Sequence, residues 1–319
     1  MDRKLIKNVM LGCFCLGNGL LGMEVSDESD KKAGVIPQEE QAEETPGNKL
    51  LRAAVFGDKA LIERLLAEGG DLNQVTLFID PESGEIIRKG EPPLNYAVSS
   101  GILEAVRIFL NNGADVNRGN AFGVTPLHVA MYSDNLNRFE IAELLLKKGA
   151  NPNAKNNDGH TPLMILVDRI SELTERHYRF VMQQDPTFDP SSEIDRCSKI
   201  PKLLINHDAN TDIQDNQGNT ALLRAISFRY PSFELVRNLI KLGANVNIPN
   251  NNGETPLVCA IANLKRAKVN HDQRGINIYN QIIRLLCQHN AREEIRDKSG
   301  DEEIIIGNEV EDEVEDGEN

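Results

Sequence analysis

A short pattern recurs along the chain and limits its possible folds more than any other feature. Val124-Thr125-Pro126-Leu127-His128-Val129-Ala130 is matched by His160-Thr161-Pro162-Leu163-Met164, by Asn219-Thr220-Ala221-Leu222-Leu223-Arg224-Ala225 and by Glu254-Thr255-Pro256-Leu257-Val258-Cys259-Ala260. Glu91-Pro92-Pro93-Leu94-Asn95-Tyr96-Ala97 is another copy, and Leu50-Leu51-Arg52-Ala53 a weaker one. Gly90, Gly123, Gly159, Gly218 and Gly253 precede the complete copies. A second pattern follows each: Leu65-Leu66 then Gly69-Gly70-Asp71-Leu72-Asn73, Phe109-Leu110 then Gly113-Ala114-Asp115-Val116-Asn117, and Leu145-Leu146 then Gly149-Ala150-Asn151-Pro152-Asn153. Leu204-Ile205 with Asp208-Ala209-Asn210, Leu239-Ile240 with Gly243-Ala244-Asn245-Val246-Asn247, and Leu286-Cys287 with Asn290-Ala291 complete the set. A unit that recurs in this way cannot bury its apolar faces alone, and stacking neighbours must supply the core.

The residue types give each copy a local structure. Thr before Pro suits the cap of a first helix, and Pro suits its first turn, where the N–H is unpaired in any case. The Leu and Ala that follow face the neighbouring copy, and the small Ala lets helices approach. A second helix buries the Leu pair and ends at Gly, which accepts the left-handed conformation that closes a helix. Where Gly is missing, Asp208 and Asn290 stand in its place, the next most tolerant residue types. His128 reads as a structural hydrogen-bonder within this scaffold.

These motifs resemble the ankyrin repeat, whose signature is T-P-L-H-x-A followed by a Gly-Ala turn at a period of about 33 residues. The resemblance covers residues 48–300. It implies a mainly all-α solenoid of helix-turn-helix units with β-hairpin fingers, about six repeats plus a truncated seventh. Ile295-Arg296-Asp297-Lys298-Ser299-Gly300-Asp301 looks like one more finger, and the glutamates after it replace Thr-Pro, so this repeat is expected to abort after a short turn.

Three insertions lengthen the period. Near 74–90, Val75 to Asp80 and Glu85 to Lys89 flank Pro81-Glu82-Ser83-Gly84, which predicts a hairpin that extends the first finger. Near 168–198, Ile165, Ile170, Leu173, Tyr178 and Val181 continue a helical spacing, and Ser191-Ser192-Glu193 looks like a second helix start, so both helices of the fourth repeat are expected to be long. Near 264–275 lies a smaller version, with residues 268–273 as its loop. Each insertion reads either as decoration or as a second contact surface.

Charge is concentrated at the ends. Residues 301–319 carry ten acids and no base, and residues 24–44 carry eight acids against Lys31 and Lys32. With Arg3, Lys4 and Lys7 against Asp2, the net charge of −14 leaves residues 45–300 neutral. A neutral body offers no electrostatic footprint for nucleic acid. Residues 24–47 read as an acidic disordered linker and 301–319 as an acidic disordered tail. Residues 1–23 have a basic start and an apolar stretch from Val9 to Met23, the layout of a signal or leader segment, so export is expected, with a cytoplasmic location as the alternative. No apolar run reaches membrane-span length. The five cysteines have neither zinc-ligand spacing nor the look of a disulfide framework. No metal or other cofactor is expected.

The resemblance implies a non-catalytic scaffold for protein–protein interaction, acting as a monomer through its fingertips and the exposed side of its first helices. An exported effector engaging a host protein and an enzyme regulator or inhibitor are the alternatives. The candidate partner-binding residues are Phe122, Val124, Tyr132, Lys155, His160, Asp168, Arg169, Phe228, Arg229 and Asn263. Phe122, Tyr132 and Phe228 stand out because aromatic residues tend to dominate binding energy. Phe228 has a second reading, in which it packs under Tyr230-Pro231. No nucleophile–base pair, carboxylate pair, phosphate loop or metal cluster points to catalysis.

Overall fold

The computed structural model describes residues 49–50, 53–54, 56–73, 77–79, 86–89, 92–183, 194–195, 197–291, 293–296 and 302–305. The leader expected over 1–23, the linker over 24–47, residues 184–193 of the second insertion and residues 306–319 of the tail lie outside them. The chain divides into two compact units, Met1–Leu144 and Leu145–Asn319.

The first unit contains α1 (Lys59–Ala67), β1 (Leu77–Ile79), β2 (Ile86–Lys89), α2 (Pro93–Ser100), α3 (Leu103–Asn111), α4 (Pro126–Tyr132) and the start of α5 (Arg138–Lys147). Here α2 packs on both α3 and α4, and α1 packs on α3, so first helices stack on first helices and second on second. Leu94, Leu127, Phe109 and Met131 are fully buried, and the small Ala97 and Ala130 are buried with them. The 74–90 insertion contains an antiparallel pairing of β1 with β2, with Leu77 opposite Lys89 and an irregularity between Phe78 and Ile79.

The second unit contains α6 (Pro162–Gln183), α7 (Ile200–Ile205), α8 (Ala221–Ser227), α9 (Phe233–Lys241), α10 (Pro256–Val269), α11 (Gln273–Gln288), β3 (Glu293–Arg296) and β4 (Glu302–Ile305). Helix α8 packs on α6 and on α10, α9 packs on α11, and α7 lies against α6. Leu163, Leu166, Leu222, Leu239 and Leu286 form the buried seam.

Thr161, Thr220 and Thr255 accept the backbone N–H of Met164, Leu223 and Val258 at 3.3–3.4 Å, which satisfies a donor that the first turn leaves free. At α4 the imidazole of His128 joins this cap: its Nδ1 accepts the Thr125 N–H at 3.2 Å and sits 2.8 Å from Thr125 Oγ1. The second helices end in a left-handed residue. Where glycine is missing, Asp208 and Asn290 adopt φ of 66° and 61°. A polar ladder then joins successive return loops. Asn73 Oδ1 accepts from Asp115 N, Asn153 Oδ1 from Asn210 N, and Asp212 Oδ1 from Asn245 N, at 2.7–3.0 Å.

The architecture departs from expectation in three places. The fingers over 118–125, 154–161, 213–220 and 248–255 are turns rather than strand ladders, because side chains take the amides that a ladder would use. In the fourth repeat the first helix is long, with 22 residues. The second is interrupted: residues 194–195 and 197 are helical, just after the start signal at Ser191-Ser192-Glu193, and α7 then runs six residues from Ile200, where Pro201 lacks the N–H that would carry a helix through from upstream. At the C-terminal end, residues 302–305 of the expected disordered tail form β4, paired with β3 so that Glu293 faces Ile305 and Arg296 faces Glu302. The β-branched Ile304-Ile305 pair favours a strand there.

Candidate functional site

Four finger turns share one construction. An Asn or Asp stands three residues before the finger glycine, as Asn120, Asn156, Asp215 and Asn250. In each turn one side-chain oxygen accepts two backbone amides. Asn120 Oδ1 takes those of Phe122 and Val124, Asn156 Oδ1 those of Asp158 and His160, Asp215 Oδ1 those of Gln217 and Asn219, and Asn250 Oδ1 those of Asn252 and Glu254, all at 2.8–3.0 Å. The backbone closes the same turns, with Asn120 N donating to Val124 O at 3.1 Å and its three counterparts at 3.0 Å. The two tip residues of each turn are thereby presented on a fixed backbone.

Phe122 is such a tip residue, and 41% of it is exposed. Val124, expected at the same surface, is buried. Its amide is held by Asn120 and its carbonyl oxygen accepts Asn95 Nδ2 at 3.1 Å, so it belongs to the scaffold. Tyr132 is half-buried at the end of α4.

In the second unit, Lys155 is exposed and its Nζ donates to the Gln214 carbonyl oxygen at 2.7 Å. Arg229 is exposed, with its guanidinium carbon 5.2 Å from the Tyr230 ring centroid, within cation–π range. Phe228 is half-buried where α8 ends, and its carbonyl oxygen accepts the Tyr279 hydroxyl at 2.6 Å. Burial pushes the Tyr279 hydroxyl well above its ordinary value. Arg169 and Asn263 were expected on exposed helix turns and are buried instead. Asn263 is held by its amide, which donates to the Ile226 carbonyl oxygen at 3.3 Å.

His160 and Asp168 belong to a polar cluster around Arg224. The Arg224 guanidinium forks onto Asp168 through Nε at 3.1 Å and through a shorter Nη2 contact, while its Nη1 donates to Asp215 Oδ2 at 2.8 Å. His160 is buried, with Nε2 at 3.1 Å from Arg224 Nη1 and 3.8 Å from Asp215 Oδ2. Burial, then the nearby guanidinium, lowers the imidazole pKa below its usual value of 6.5. The two carboxylates hold the Arg224 pKa above normal despite burial. Asp168 and His160 are thereby tied to Arg224 of α8, which also holds Asp215 of the finger turn.

Sequence reasoning missed Arg224 and Asp215. The available signal was the Asx residue three positions before each finger glycine. Among the described residues, no group of three or more His, Cys, Asp or Glu side chains is placed to hold a metal ion, and no helix is long and apolar enough to cross a membrane.

Comparison with known proteins bears on the fold and on its use. The family model described as "Ankyrin repeats (3 copies)" matches residues 50–156 and 194–297, more than half of the chain. Protein phosphatase 1 regulatory subunit 27 of Homo sapiens is 38% identical over 109 residues, which is 33% of this chain and 69% of that protein. A putative ankyrin repeat protein of Fowlpox virus is 42% identical over 117 residues, covering 36% of this chain and 31% of the viral protein. An ankyrin repeat domain from Acinetobacter baumannii, solved by crystallography, superposes with a TM-score of 0.52 at 24% identity, covering 76% of this chain and 97% of that one.

Proposed function

This chain belongs to the ankyrin-repeat family, and from that premise we propose that it is a non-catalytic scaffold that binds a partner protein through fingertips and the exposed ends of first helices. Ankyrin repeats imply a protein–protein interaction scaffold; the residues that make the contact are the proposal. The observation that carries it is Phe122, an aromatic ring 41% exposed on a turn whose backbone is already fixed. Exposed aromatic anchors supply much of the binding energy at protein interfaces, and a backbone that is already ordered lowers the entropy lost on binding. Tyr132 is the second candidate in the first unit; Lys155, Phe228 and Arg229 are the candidates in the second.

The test captures proteins from an extract with immobilised full chain, a Phe122→Ala/Tyr132→Ala variant and a Lys155→Ala/Arg229→Ala variant, each shown folded by circular dichroism. A protein retained by the wild type and lost by the first variant supports the reading, and loss with the second variant moves the site to the second unit. Equal capture by all three overturns it.

A second reading, regulation of an enzyme, draws support from the likeness to a phosphatase regulatory subunit, of which this chain covers 69%. It predicts that the purified chain changes the rate of a purified phosphatase catalytic subunit; an unchanged rate counts against it. Export, and with it an effector role towards a host protein, rests on the layout of residues 1–23 alone. Mass determination of the protein from medium and from cells tests it, since a cleaved leader shortens only the exported form.

A further inference from the structure

The neutral body of the chain is locally uneven. Residues 256–291 carry five basic side chains, Lys265, Arg266, Lys268, Arg274 and Arg284, against one acid, Asp272. All five are exposed. They lie on the helical hairpin made by α10, 14 residues long, and α11, 16 residues long, which pack together across a three-residue connection. Lys265, Lys268 and Val269 are spaced i, i+3 and i+4, so they share one face of α10, and Val269 is 78% exposed. Neither Lys265 nor Lys268 has an ion-pair partner among the described residues, whereas Lys59 has two, Glu63 and Glu104.

The helix dipole favours the cations in the last turn of α10, Arg266 and Lys268. Lys265 and Lys268, on an exposed face with Val269, leave room there for an anionic occupant. One follows in the same chain. Residues 306–319 carry seven acids and no base, with Val310 and Val314 interleaved four residues apart. This acidic and apolar mixture complements a face made of Lys265, Lys268 and Val269.

We propose that the acidic segment 306–319 docks in cis on the basic face of α10 and its junction with α11, so that the chain covers this surface itself. Reach permits it. The segment begins directly after β4, whose Ile305 pairs with Glu293 just past the end of α11, and β3 packs against α10. From there the far end of the hairpin is one length of α11 away, about 24 Å at 1.5 Å per residue. Fourteen residues extend up to about 46 Å. The attraction is electrostatic and mostly exposed, so salt weakens it. An acidic partner protein would then compete with the tail for Lys265 and Lys268, and the tail would set the threshold for its binding.

The test is zero-length carbodiimide cross-linking of the full-length protein at low ionic strength, followed by peptide mass spectrometry. Expected are amide links from Lys265 or Lys268 to acids among Glu309, Glu311, Asp312, Glu313, Glu315, Asp316 and Glu318, lost in about 1 M salt, where the Debye length falls to about 3 Å. The Lys59–Glu104 pair, 3.6 Å apart, is the internal control for the chemistry. Mixing isotopically light and heavy protein separates cis from trans, and links that join light to heavy chains overturn the cis proposal. Links at the control pair with none from the tail to Lys265 or Lys268 also overturn it. A full-length variant with Glu311, Glu313 and Glu315 changed to Gln and Asp312 to Asn keeps the control link and loses most of the tail links; unchanged tail links would contradict the assignment.

Discussion

The turn at residues 120–124 in the first unit and the turns at 156–160, 215–219 and 250–254 in the second use the same clamp and differ at their tips. In the second unit the tips are polar and bonded to each other. Asn216 N donates to Asp158 O and Asn251 N to Gln217 O at 3.0–3.1 Å, and the amides of Asn216 and Asn251 donate to the carbonyl oxygens of Asn157 and Asn216 at 2.8 and 3.1 Å. In the first unit the tip is Ala121-Phe122 and exposes a ring. The clamp fixes the backbone from within the turn, so the tip side chains are not needed to hold their own turn. They then serve either neighbouring turns or a surface.

The comparison breaks most visibly at Asp215, which is both clamp and counter-ion. Its side chain is 1% exposed and carries two amides on Oδ1 and Arg224 on Oδ2. Asp215→Ala leaves the half-buried Arg224 guanidinium with Asp168 alone and also removes the clamp, so it should cost about 3 kcal/mol, the low end for breaking a buried pair. Asn120→Ala removes the clamp with no ion pair attached to it and should cost about 1–3 kcal/mol. Asp215→Asn keeps the amide acceptor, loses the charge and should fall between them. Urea unfolding of the three variants checks the order; equal losses for Asp215→Ala and Asn120→Ala would mean the ion pair adds nothing.

Two finger glycines sharpen the same contrast. Gly218 and Gly253 have φ near +80°, so alanine at either position costs about 1–2 kcal/mol from backbone strain. At Gly218 an added Cβ would also lie 2.5 Å from Asn251 N, whereas at Gly253 nothing lies within 4 Å. Gly218→Ala must therefore push the next turn away and weaken the tip ladder. It should be the more destabilising of the two by a further 1 kcal/mol or about that, within the range of local strain costs. Equal thermal midpoints would show that the ladder yields freely.

A smaller effect depends on pH. The pKa of His160 is lowered in the folded chain by burial first and then by Arg224. The unfolded chain therefore binds more protons between the ordinary value of 6.5 and the lowered folded value. Stability is fully present above 6.5 and falls as the pH drops through that window, by at most about 1.4 kcal/mol per pH unit for one proton. His160→Gln should flatten that part of the stability profile relative to wild type. Parallel profiles from pH 7 to about 5 would remove His160 from the account.

Much of this scaffold was legible from residue types alone. Thr before Pro gave the helix starts, and Asp208 and Asn290 in place of glycine gave the left-handed closures, because both follow from local backbone chemistry. The candidate surface was less legible. Val124, Arg169 and Asn263 looked exposed from their positions after the motif, but their burial depends on neighbours 29 or more residues away in sequence, such as Asn95 for Val124 and Ile226 for Asn263. Asp71-Leu72-Asn73, Asn151-Pro152-Asn153 and Asn210-Thr211-Asp212 recur after the second helices with no role visible within one repeat. Their second Asn or Asp reaches the next repeat's amide, a contact that no single repeat reveals. Helical residues follow the start signal at Ser191, and the missed feature is the break before α7, where Pro201 has no N–H to carry the helix through.

The smallest expected effect on stability is at Phe122. If the clamp holds the turn without help from its tip, Phe122→Ala should shift unfolding by no more than about 0.5 kcal/mol, the usual bound for surface substitutions. In the scaffold reading the same change costs about 2 kcal/mol or more in partner binding, roughly a thirtyfold rise in Kd. The two numbers must be read together. A stability loss above about 2 kcal/mol, the scale of a truncated core side chain, would mean that the ring is packed in the folded chain and that Phe122 belongs with Val124 in the scaffold. Unchanged stability with weakened binding would leave the clamp and the tip doing separate jobs, which is what the shared construction of the four turns implies.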